Sequence, residues 1–389
     1  MLDYESLIAE RVRGIDASGI RRVFDLAAKL ERPINLSIGQ PDFDVPDEIK
    51  AAACRAIEQG VNQYTQTQGM AALREKIAAR LASEFPETLA RDGTGLLVTS
   101  GVSGGLMLAL LCCAQPGDEV LLPDPYFVMY RHLVTLAGAT PVFVDTYPDF
   151  ELTAERIAPH MTARTKLLLL NSPSNPTGVV ASEAQCRAIA ELARRHGVLL
   201  LSDEIYDEFW YPEADGDGGG GQGHERLPSP ASYSEDVLLM RGFSKTYGMT
   251  GWRLGYVAGP AAVVEQMTKL QQYSFVCAPS MTQVAGALAL EVDMSAYVEA
   301  YRGKRDRVVE RLSPHYELTR PRGAFYAFVK VPERLGLTGT QFVERAVERG
   351  LLIIPGCVFS ERDTHFRLSY ACDDAMLEEG LGVLVELAG

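Results

Sequence analysis

The chain has 389 residues, with 37 lysines and arginines against 51 aspartates and glutamates, so its formal net charge is −14. This acidic balance argues against a nucleic-acid-binding protein, which normally presents a basic surface. Hydrophobic residues make up 47% of the chain and charged residues 23%. Such a composition is typical of a globular protein with two domains, or with one large domain and a satellite.

The N-terminal stretch MLDYESLIAERVRGIDASG has no basic segment followed by an apolar core, so no secretion signal is expected. The longest apolar runs have the length of a strand, far below the roughly 18 residues of a membrane span. The seven cysteines are odd in number and lack CxxC spacing. Neither a disulfide framework nor a metal site is therefore expected. These features predict a cytoplasmic protein with no membrane partner.

The middle of the chain alternates short apolar runs with helical patterns. The runs are GLLVTSG, DEVLLPDPYF, TPVFVD, TKLLLLNSPSNPTG, VLLLSDEIY, DVLLMRGFSK and RLGYVAG, and the clearest helical patterns are SGGLMLALLCCA and SEAQCRAIAELARRHG. Several runs are apolar at consecutive positions, which is typical of strands buried on both faces of a sheet. Strands that alternate with helices predict an α/β domain with a mainly parallel sheet flanked by helices.

One low-complexity stretch, DGDGGGGQGHERLPSP, runs from Asp215 to Pro230. Its glycines disfavour an ordered core, so we expect a mobile surface loop. A glycine-rich phosphate loop is the alternative. It is disfavoured because no helical pattern follows at the required distance and the prolines would interrupt one.

The last third of the chain has a different character. MTQVAGALALE and SAYVEAYRGKRDRVVERL read as helices, whereas GAFYAFVKV and HFRLSYA alternate as half-buried strands do. This pattern predicts a smaller α+β domain. We expect a large cofactor-binding domain of residues 47–290 and a discontinuous small domain of residues 1–46 and 291–389.

Polar residues gather where the predicted parallel strands end, and ligands bind beyond the carboxyl ends of such strands. The residues at these ends are Ser100 and Gly101, Pro125 to Phe127, Asn171 to Asn175, Asp203 to Tyr206, and Ser244 with Lys245. A lysine desolvated at a strand end has a lowered pKa and is a nucleophile toward a carbonyl group. Alone, however, a loop lysine is more often a solvated charge.

The neighbours of Lys245 sharpen this interpretation. Ser244 and Arg253 carry groups that bind a phosphate, although Arg253 could instead pair with a carboxylate in the core. A carboxylate buried at the strand end, as expected for Asp203, is costly unless it meets a cation such as a protonated ring nitrogen. A helix cap or a salt bridge is the plainer alternative for that aspartate.

Three further features belong to the same set. Tyr206 follows Asp203 closely enough for its hydroxyl to reach the same ligand. The two X-Pro steps of NSPSNPTG hold Asn175 in a rigid turn, where its amide either faces the crevice or bonds to the turn itself. In TSGVSGGL, three glycines lie at a strand-to-helix junction, where the backbone N–H groups of the helix start and the Ser103 hydroxyl form a potential anion site. Small residues there could equally serve tight packing.

Taken together, these residues resemble the fold-type I pyridoxal-phosphate aminotransferases of the class I/II group. SKTYGMTGWRLGY is the most specific segment, and NSPSNPTG and SDEIY support it in the same order and spacing. The resemblance extends over nearly the full length. It implies an enzyme (EC 2.6.1.-) that moves an amino group between an L-amino acid and a 2-oxo acid by a ping-pong mechanism.

The resemblance also implies roles for individual residues. The catalytic set consists of Lys245, which bonds covalently to the cofactor pyridoxal 5′-phosphate, with Asp203 at its ring nitrogen and Tyr206 at its phenolic oxygen. The implied cofactor-binding set is Val102, Ser103, Gly104, Phe127, Asn175, Asp203, Tyr206, Ser244, Lys245, Arg253 and Tyr64. Valine at 102 departs from the small residue that is common there, although its N–H can still donate. Gly39, Asn175 and Arg367 match the substrate-binding residues, and Tyr64 matches a tyrosine that reaches the partner's site in a homodimer.

Other reactions remain possible on this fold, since a fold does not determine a reaction. A carbon–sulfur β-lyase, another amino-acid lyase or synthase, and a non-catalytic ligand sensor are the alternatives. The amino donor is also open, because a dicarboxylic substrate needs a second cation. The basic candidates are Arg22, Arg131, His132 and Lys330, whereas Ile38, Tyr126, Tyr130 and Phe359 would favour apolar or aromatic side chains at the mouth of the site.

Overall fold

The computed structural model of the chain describes residues 2–16, 32–212 and 226–389. Arg22 and most of the glycine-rich stretch at 215–230 lie outside the described residues. The helices are α1 (Tyr4–Leu7), α2 (Glu10–Arg13), α3 (Asp47–Glu58), α4 (Ala71–Glu84), α5 (Gly101–Cys113), α6 (Met129–Leu136), α7 (Ala154–Ile157), α8 (Glu183–His196), α9 (Ala261–Gln272), α10 (Ser280–Ala289), α11 (Ser295–Leu312), α12 (Gly339–Glu348) and α13 (Asp374–Ala388). Within this part of the chain, no helix combines the length and the apolar character needed to cross a membrane.

The strands are β1 (Ile34–Asn35), β2 (Thr94–Ser100), β3 (Glu119–Asp124), β4 (Thr140–Asp145), β5 (Thr165–Asn171), β6 (Leu199–Asp203), β7 (Val237–Gly242), β8 (Leu254–Pro260), β9 (Tyr326–Lys330), β10 (Leu351–Leu352), β11 (Ile354–Pro355) and β12 (His365–Ser369). Seven of them form one sheet in the order β2-β8-β7-β6-β5-β3-β4. Strand β8 runs antiparallel to both of its neighbours, β2 and β7, and the other adjacent pairs in this sheet are parallel. The predicted α/β fold with a mainly parallel mixed sheet is therefore confirmed.

The leucine run of β5 shows why this sheet forms. Leu167 and Leu169 pack into the core that includes residues of α5, α6 and α9, whereas Leu168 and Leu170 pack into the core that includes residues of α3, α4, α8 and α10. Since side chains alternate between the two faces of a strand, four consecutive leucines fill both cores at once. The sheet is consequently covered by helices on both sides.

Because β8 alone is reversed, it begins at the edge of the sheet where the other strands end. Its register pairs Leu254 with Ser100, the last residue of β2. The residue before β8, Arg253, therefore lies beside Gly101, the first residue of α5. This edge of the sheet collects the ends of six strands and the start of the seventh.

A second core lies outside the large sheet. It joins Ile34 and Leu36 to residues of β9, β12 and helices α11 to α13, with Tyr206, Phe209 and Tyr211 added from the segment after β6. Strands β11, β12 and β9 form an antiparallel sheet, and β1 pairs with β10. This distribution supports the division into residues 47–290 and residues 1–46 with 291–389, which we retain as a proposal.

The expectation that β9 and β12 are half-buried is wrong, because both faces of the two strands are covered. The register pairs Arg367 with Phe328 and His365 with Lys330, so the polar members of the alternation share one face. That face packs toward the large sheet, where the His365 ring meets Phe150. The alternation thus separates a face that carries Arg367 and His365 from an apolar face, and both faces are buried.

Candidate active site

A cavity of about 270 Å³ lies at the carboxyl ends of the parallel strands. It brings together most of the residues that the sequence singled out. The predicted residues that line it are Gly39, Val102, Ser103, Phe127, Asn175, Asp203, Tyr206, Ser244, Lys245, Arg253 and Arg367. Gly104 does not line the cavity, and Tyr64 lies at the surface with 85% of its side chain exposed.

Lys245 projects from the loop after β7 into this cavity, and its Nζ donates to the backbone carbonyl of Gly39 at 2.6 Å. The pKa of Lys245 is lowered to about 8, first by burial and then by the positive charges of Arg367 and Arg253, while Asp203 acts in the opposite direction. Near neutral pH a minor fraction of the Lys245 amine is therefore unprotonated, and this fraction is nucleophilic.

Asp203 ends β6 at the floor of the cavity and is 3% exposed. Burial raises the pKa of its carboxyl to about 6. Two donors partly counter this shift: the Tyr130 hydroxyl at 2.8 Å from Oδ2 and the backbone N–H of Ile205 at 3.2 Å from Oδ1. Such a carboxylate is stabilised by a cation placed against it from the cavity.

The junction of β2 and α5 forms a concave part of the cavity wall, where an anion could be held. The first turn of α5 brings the unpaired N–H groups of a helix start to the cavity wall at Val102 and Ser103. Gly101 has φ of +66°, and a Cβ atom there would lie 2.7 Å from Nη2 of Arg253. Glycine is therefore needed to admit the guanidinium group, which donates to the Thr250 carbonyl at 3.0 Å.

Arg367 stands on β12 at the opposite wall, and its residue is only 1% exposed. Its Nη2 donates to the Ser37 carbonyl at 2.7 Å, and its Nη1 donates to Oδ1 of Asn175 at 3.2 Å. The guanidinium lies 4.6 Å from the ring centroids of both Tyr326 and Phe359. Among the described residues no carboxylate pairs with it, and its Nε has no hydrogen-bond partner. Burial lowers its pKa, and a bound carboxylate would supply the missing counter-charge.

Two asparagines connect these walls. The Asn171 side chain donates to the Asp203 carbonyl at 3.0 Å, and its oxygen accepts from the Asn175 N–H at 2.9 Å. Asn175 therefore has a position determined by the end of β5, while its own side chain reaches Arg367. The turn predicted from the two prolines links the floor of the cavity to the wall that carries Arg367.

Sequence reasoning missed two contributions to the site. Tyr130 was expected at the mouth, but it lies at the floor and donates to Asp203. Tyr326 lines the cavity, and its hydroxyl lies 2.9 Å from that of Tyr206. The period-two pattern around Tyr326 could have placed it on the face of Arg367, but only with the register of β9 and β12 in hand.

The other mouth residues and basic candidates do not line the cavity. Tyr126 and Phe359 are buried behind its walls, and Ile38 is not part of its lining. Arg131 pairs with Glu361, and Lys330 pairs with glutamates on the surface of the small sheet. His132 lies outside the lining, and burial lowers its pKa. Within the described residues, the cations that line the cavity are Lys245, Arg253 and Arg367.

Comparisons with known proteins agree with this geometry. Residues 31–384 match the family described as aminotransferase class I and II. The chain is 37% identical over 384 residues to the putative aminotransferase YugH of Bacillus subtilis, covering 97% of both chains. It is 34% identical to aromatic-amino-acid aminotransferase 2 of Thermococcus litoralis, covering 96% of both. A solved structure of a double mutant of Thermus thermophilus aspartate aminotransferase superposes with a TM-score of 0.89 at 33% identity, covering 98% of this chain and 99% of that one.

The chain therefore belongs to the class I and II aminotransferases, with the fold-type I architecture. It is a pyridoxal-phosphate-dependent aminotransferase, a transferase of nitrogenous groups. The residues of the cavity fit this cofactor on three observations. Gly101 leaves room for a guanidinium at a helix start, which suits a phosphate. Asp203 needs a cation, which a protonated pyridine nitrogen supplies, and Lys245 has the lowered pKa of an amine that bonds to an aldehyde.

Proposed function

We propose that this enzyme transfers the amino group of an L-amino acid to a 2-oxo acid, with the chemistry centred on Lys245. One observation carries this proposal: a single cavity joins an amine of lowered pKa to Asp203, Arg253 and Arg367, which lie on different elements of the fold. An amine, a carboxylate and two guanidinium groups match the four points at which the cofactor and an amino acid need to be held.

The bound cofactor supplies an electron sink for negative charge at the α-carbon of the substrate. Asp203 keeps a proton on the ring nitrogen by offering its carboxylate, which Tyr130 and the Ile205 N–H orient. Tyr206 would donate to the phenolic oxygen from the side of the small-domain core, and Asn175 would provide a second donor there. Ser244, Arg253 and the first turn of α5 would hold the phosphate, while Phe127 would pack against the ring.

Arg367 binds the α-carboxylate of the substrate, helped by the backbone at Gly39. The aromatic rings of Tyr326 and Phe359, which contact the guanidinium, keep its plane in one orientation, as a bidentate carboxylate contact requires. The Lys245 amine would take the proton from the α-carbon as a general base and would pass the same proton to the cofactor as a general acid. Because the described cavity has one such carboxylate anchor, the two substrates use it in turn, and the kinetics are ping-pong.

The test is Lys245→Ala, with Lys269→Ala as a control at an exposed lysine of α9. We expect Lys245→Ala to purify without the visible absorbance of a lysine-bound cofactor. Its turnover should fall about 100- to 10,000-fold, the usual contribution of a positioned acid–base group. Lys269→Ala should retain both properties. Near-normal transamination by Lys245→Ala contradicts the proposal.

The substrates are best identified with a panel of amino donors assayed with 2-oxoglutarate and with pyruvate. The named relatives include an aromatic-amino-acid and an aspartate aminotransferase, so the panel should contain both kinds of donor. A parallel assay for pyruvate and ammonia released from cysteine-type substrates checks the β-lyase alternative. Release of ammonia without any dependence on a 2-oxo acid would favour the lyase.

We further propose a cytoplasmic homodimer in which Tyr64 completes the partner's site. Its exposed side chain belongs to a loop that is held in place, because Gln283 donates to the Thr65 hydroxyl and Gln271 donates to the Thr67 carbonyl. A large exposed aromatic on a fixed loop is typical of an interface. The seven cysteines form no disulfide, which suits a reducing compartment. Light scattering should report a dimer, and a stable active monomer would contradict it.

A further inference from the structure

The hydroxyl of Tyr326 occupies a place in the cavity that none of the roles above accounts for. Tyr326 is fully buried at the start of β9, and burial raises the pKa of its hydroxyl. The hydroxyl lies 2.9 Å from that of Tyr206. It also lies so close to Gly39 that a Cβ atom there would come within 2.9 Å of it. The group is thus held on a defined spot between the cofactor side and the substrate side.

The ring of Tyr326 contacts the substrate side. The register pairs Tyr326 with Ser369 and Phe328 with Arg367, so Tyr326 and Arg367 are diagonal neighbours on one face of the sheet. Their contact places the guanidinium carbon 4.6 Å from the ring centroid, within the range of a cation–π interaction. Phe359 covers the guanidinium at the same distance, so the tyrosine ring is one of two walls.

We propose that Tyr326 is a positioning residue for both halves of the site: its hydroxyl orients the Tyr206 hydroxyl toward the cofactor, and its ring orients Arg367 toward the substrate carboxylate. A tyrosine hydroxyl has one proton. If Tyr206 donates that proton to the phenolic oxygen of the cofactor, then the contact with Tyr326 requires Tyr326 to donate to Tyr206. A hydroxyl that accepts a hydrogen bond becomes a better donor, so Tyr326 strengthens the contact that Tyr206 makes.

This inference rests on the proposed function, and the holoenzyme tests its hydroxyl part without turnover. The readout is the pKa at which the absorbance of the Lys245-bound cofactor changes. A phenolic oxygen with a weaker donor keeps more negative charge and retains the neighbouring proton more strongly, so the pKa rises. We expect Tyr206→Phe to raise it by about one unit, as for the loss of a hydrogen bond worth roughly 1.4 kcal/mol, and Tyr326→Phe by about half as much.

The two effects should not add, because Tyr326 acts through Tyr206. The double variant Tyr206→Phe/Tyr326→Phe should therefore match Tyr206→Phe. Tyr370→Phe is the matched control, since it removes a buried hydroxyl that bonds to the Ala324 carbonyl outside the cavity; it should leave the pKa unchanged. An unchanged pKa in Tyr326→Phe, or shifts that add in the double variant, overturns the role of the hydroxyl.

The ring is tested by steady-state kinetics with whichever donor the panel identifies. Tyr326→Phe keeps the ring, so its KM for the donor should stay within about twofold of wild type. Tyr326→Leu removes the ring and should raise KM about five- to tenfold, the usual scale of a buried cation–π contact. Equal KM values for the two variants overturn this part. A wild-type enzyme that binds no cofactor at Lys245, or that fails to transaminate, would instead refute the proposed function.

Discussion

Replacing Asp203 with asparagine should change the stability of the cofactor-free enzyme in a pH-dependent way. Burial raises the carboxyl pKa from 3.8 to about 6. At about 1.36 kcal/mol per unit, ionised Asp203 then costs the folded protein roughly 3 kcal/mol at neutral pH. The folded state binds more protons than the unfolded state between these two pKa values, so this group makes stability fall as pH rises through that window. Above it, the contribution is constant.

Asparagine removes this titration but offers one acceptor oxygen where aspartate offers two. Tyr130 and the Ile205 N–H donate to different oxygens, so one of the two contacts is lost at a cost of about 1–2 kcal/mol. Asp203→Asn should consequently be the less stable protein at acidic pH and the more stable one at neutral pH. The difference between the two unfolding free energies should change by about 2 kcal/mol between pH 4.5 and 7.5.

The assay is urea unfolding of both cofactor-free proteins at several pH values, followed by fluorescence and circular dichroism. Tyr130→Phe gives an independent check of the sign of this pH dependence. Loss of a donor to the carboxylate raises the Asp203 pKa, so the fall in stability should continue to a higher pH. The reasoning is refuted if the difference between wild type and Asp203→Asn stays constant across the range. The same substitution should weaken cofactor binding, so gain in apoenzyme stability and loss of function arise from one group.

Two other substitutions test the anion sites. Gly101→Ala places a Cβ atom against the Arg253 guanidinium at a residue of positive φ. We expect cofactor binding, measured by titration, to weaken at least about tenfold, which corresponds to the loss of one charge-assisted hydrogen bond. Gly251→Ala is the control, because a Cβ atom there enters open space on the segment just before Arg253, and this variant should bind the cofactor normally. Arg367→Lys retains the positive charge but loses the planar fork of the guanidinium. The KM for the amino donor should rise about 100-fold, which corresponds to roughly 2.7 kcal/mol of charge-assisted hydrogen bonding. The absorbance of the bound cofactor should stay intact, and an unchanged KM would contradict the assignment of Arg367.

Much of this site could be predicted because its main residues follow buried strands. The leucines before Asn171 and Asp203 identify strands covered on both faces, and strands of this kind run parallel and end at one edge. Lys245 and Asn175 then follow from their distance to those strand ends. Arg253 precedes the one reversed strand, and it reaches the same edge for the opposite reason: a strand that starts there brings the residue before it.

The contacts that tune these groups could not be predicted in the same way. Tyr130 reaches Asp203 from α6, and its hydroxyl direction depends on how that helix packs, which no local pattern encodes. Tyr326 depends on the register of β9 against β12. The alternating pattern of β12 also misled the expectation of solvent exposure, since the face that carries Arg367 and His365 is buried against the large sheet and the site.

A single physical cause underlies the pKa shifts of three charged groups that line the cavity, Asp203, Lys245 and Arg367. Burial raises the pKa of Asp203 and lowers those of Lys245 and Arg367, so each group is driven toward its uncharged form. The fold stabilises the site against this cost with neutral contacts: a tyrosine hydroxyl, backbone carbonyls and two aromatic rings. Such contacts orient a charge without neutralising it. In the proposed function, bound molecules supply the counter-charges, a protonated ring nitrogen for Asp203 and a carboxylate for Arg367, and each bound group recovers part of the free energy that burial cost. Affinity for ligands and instability of the free site are in this sense two consequences of the same buried charges.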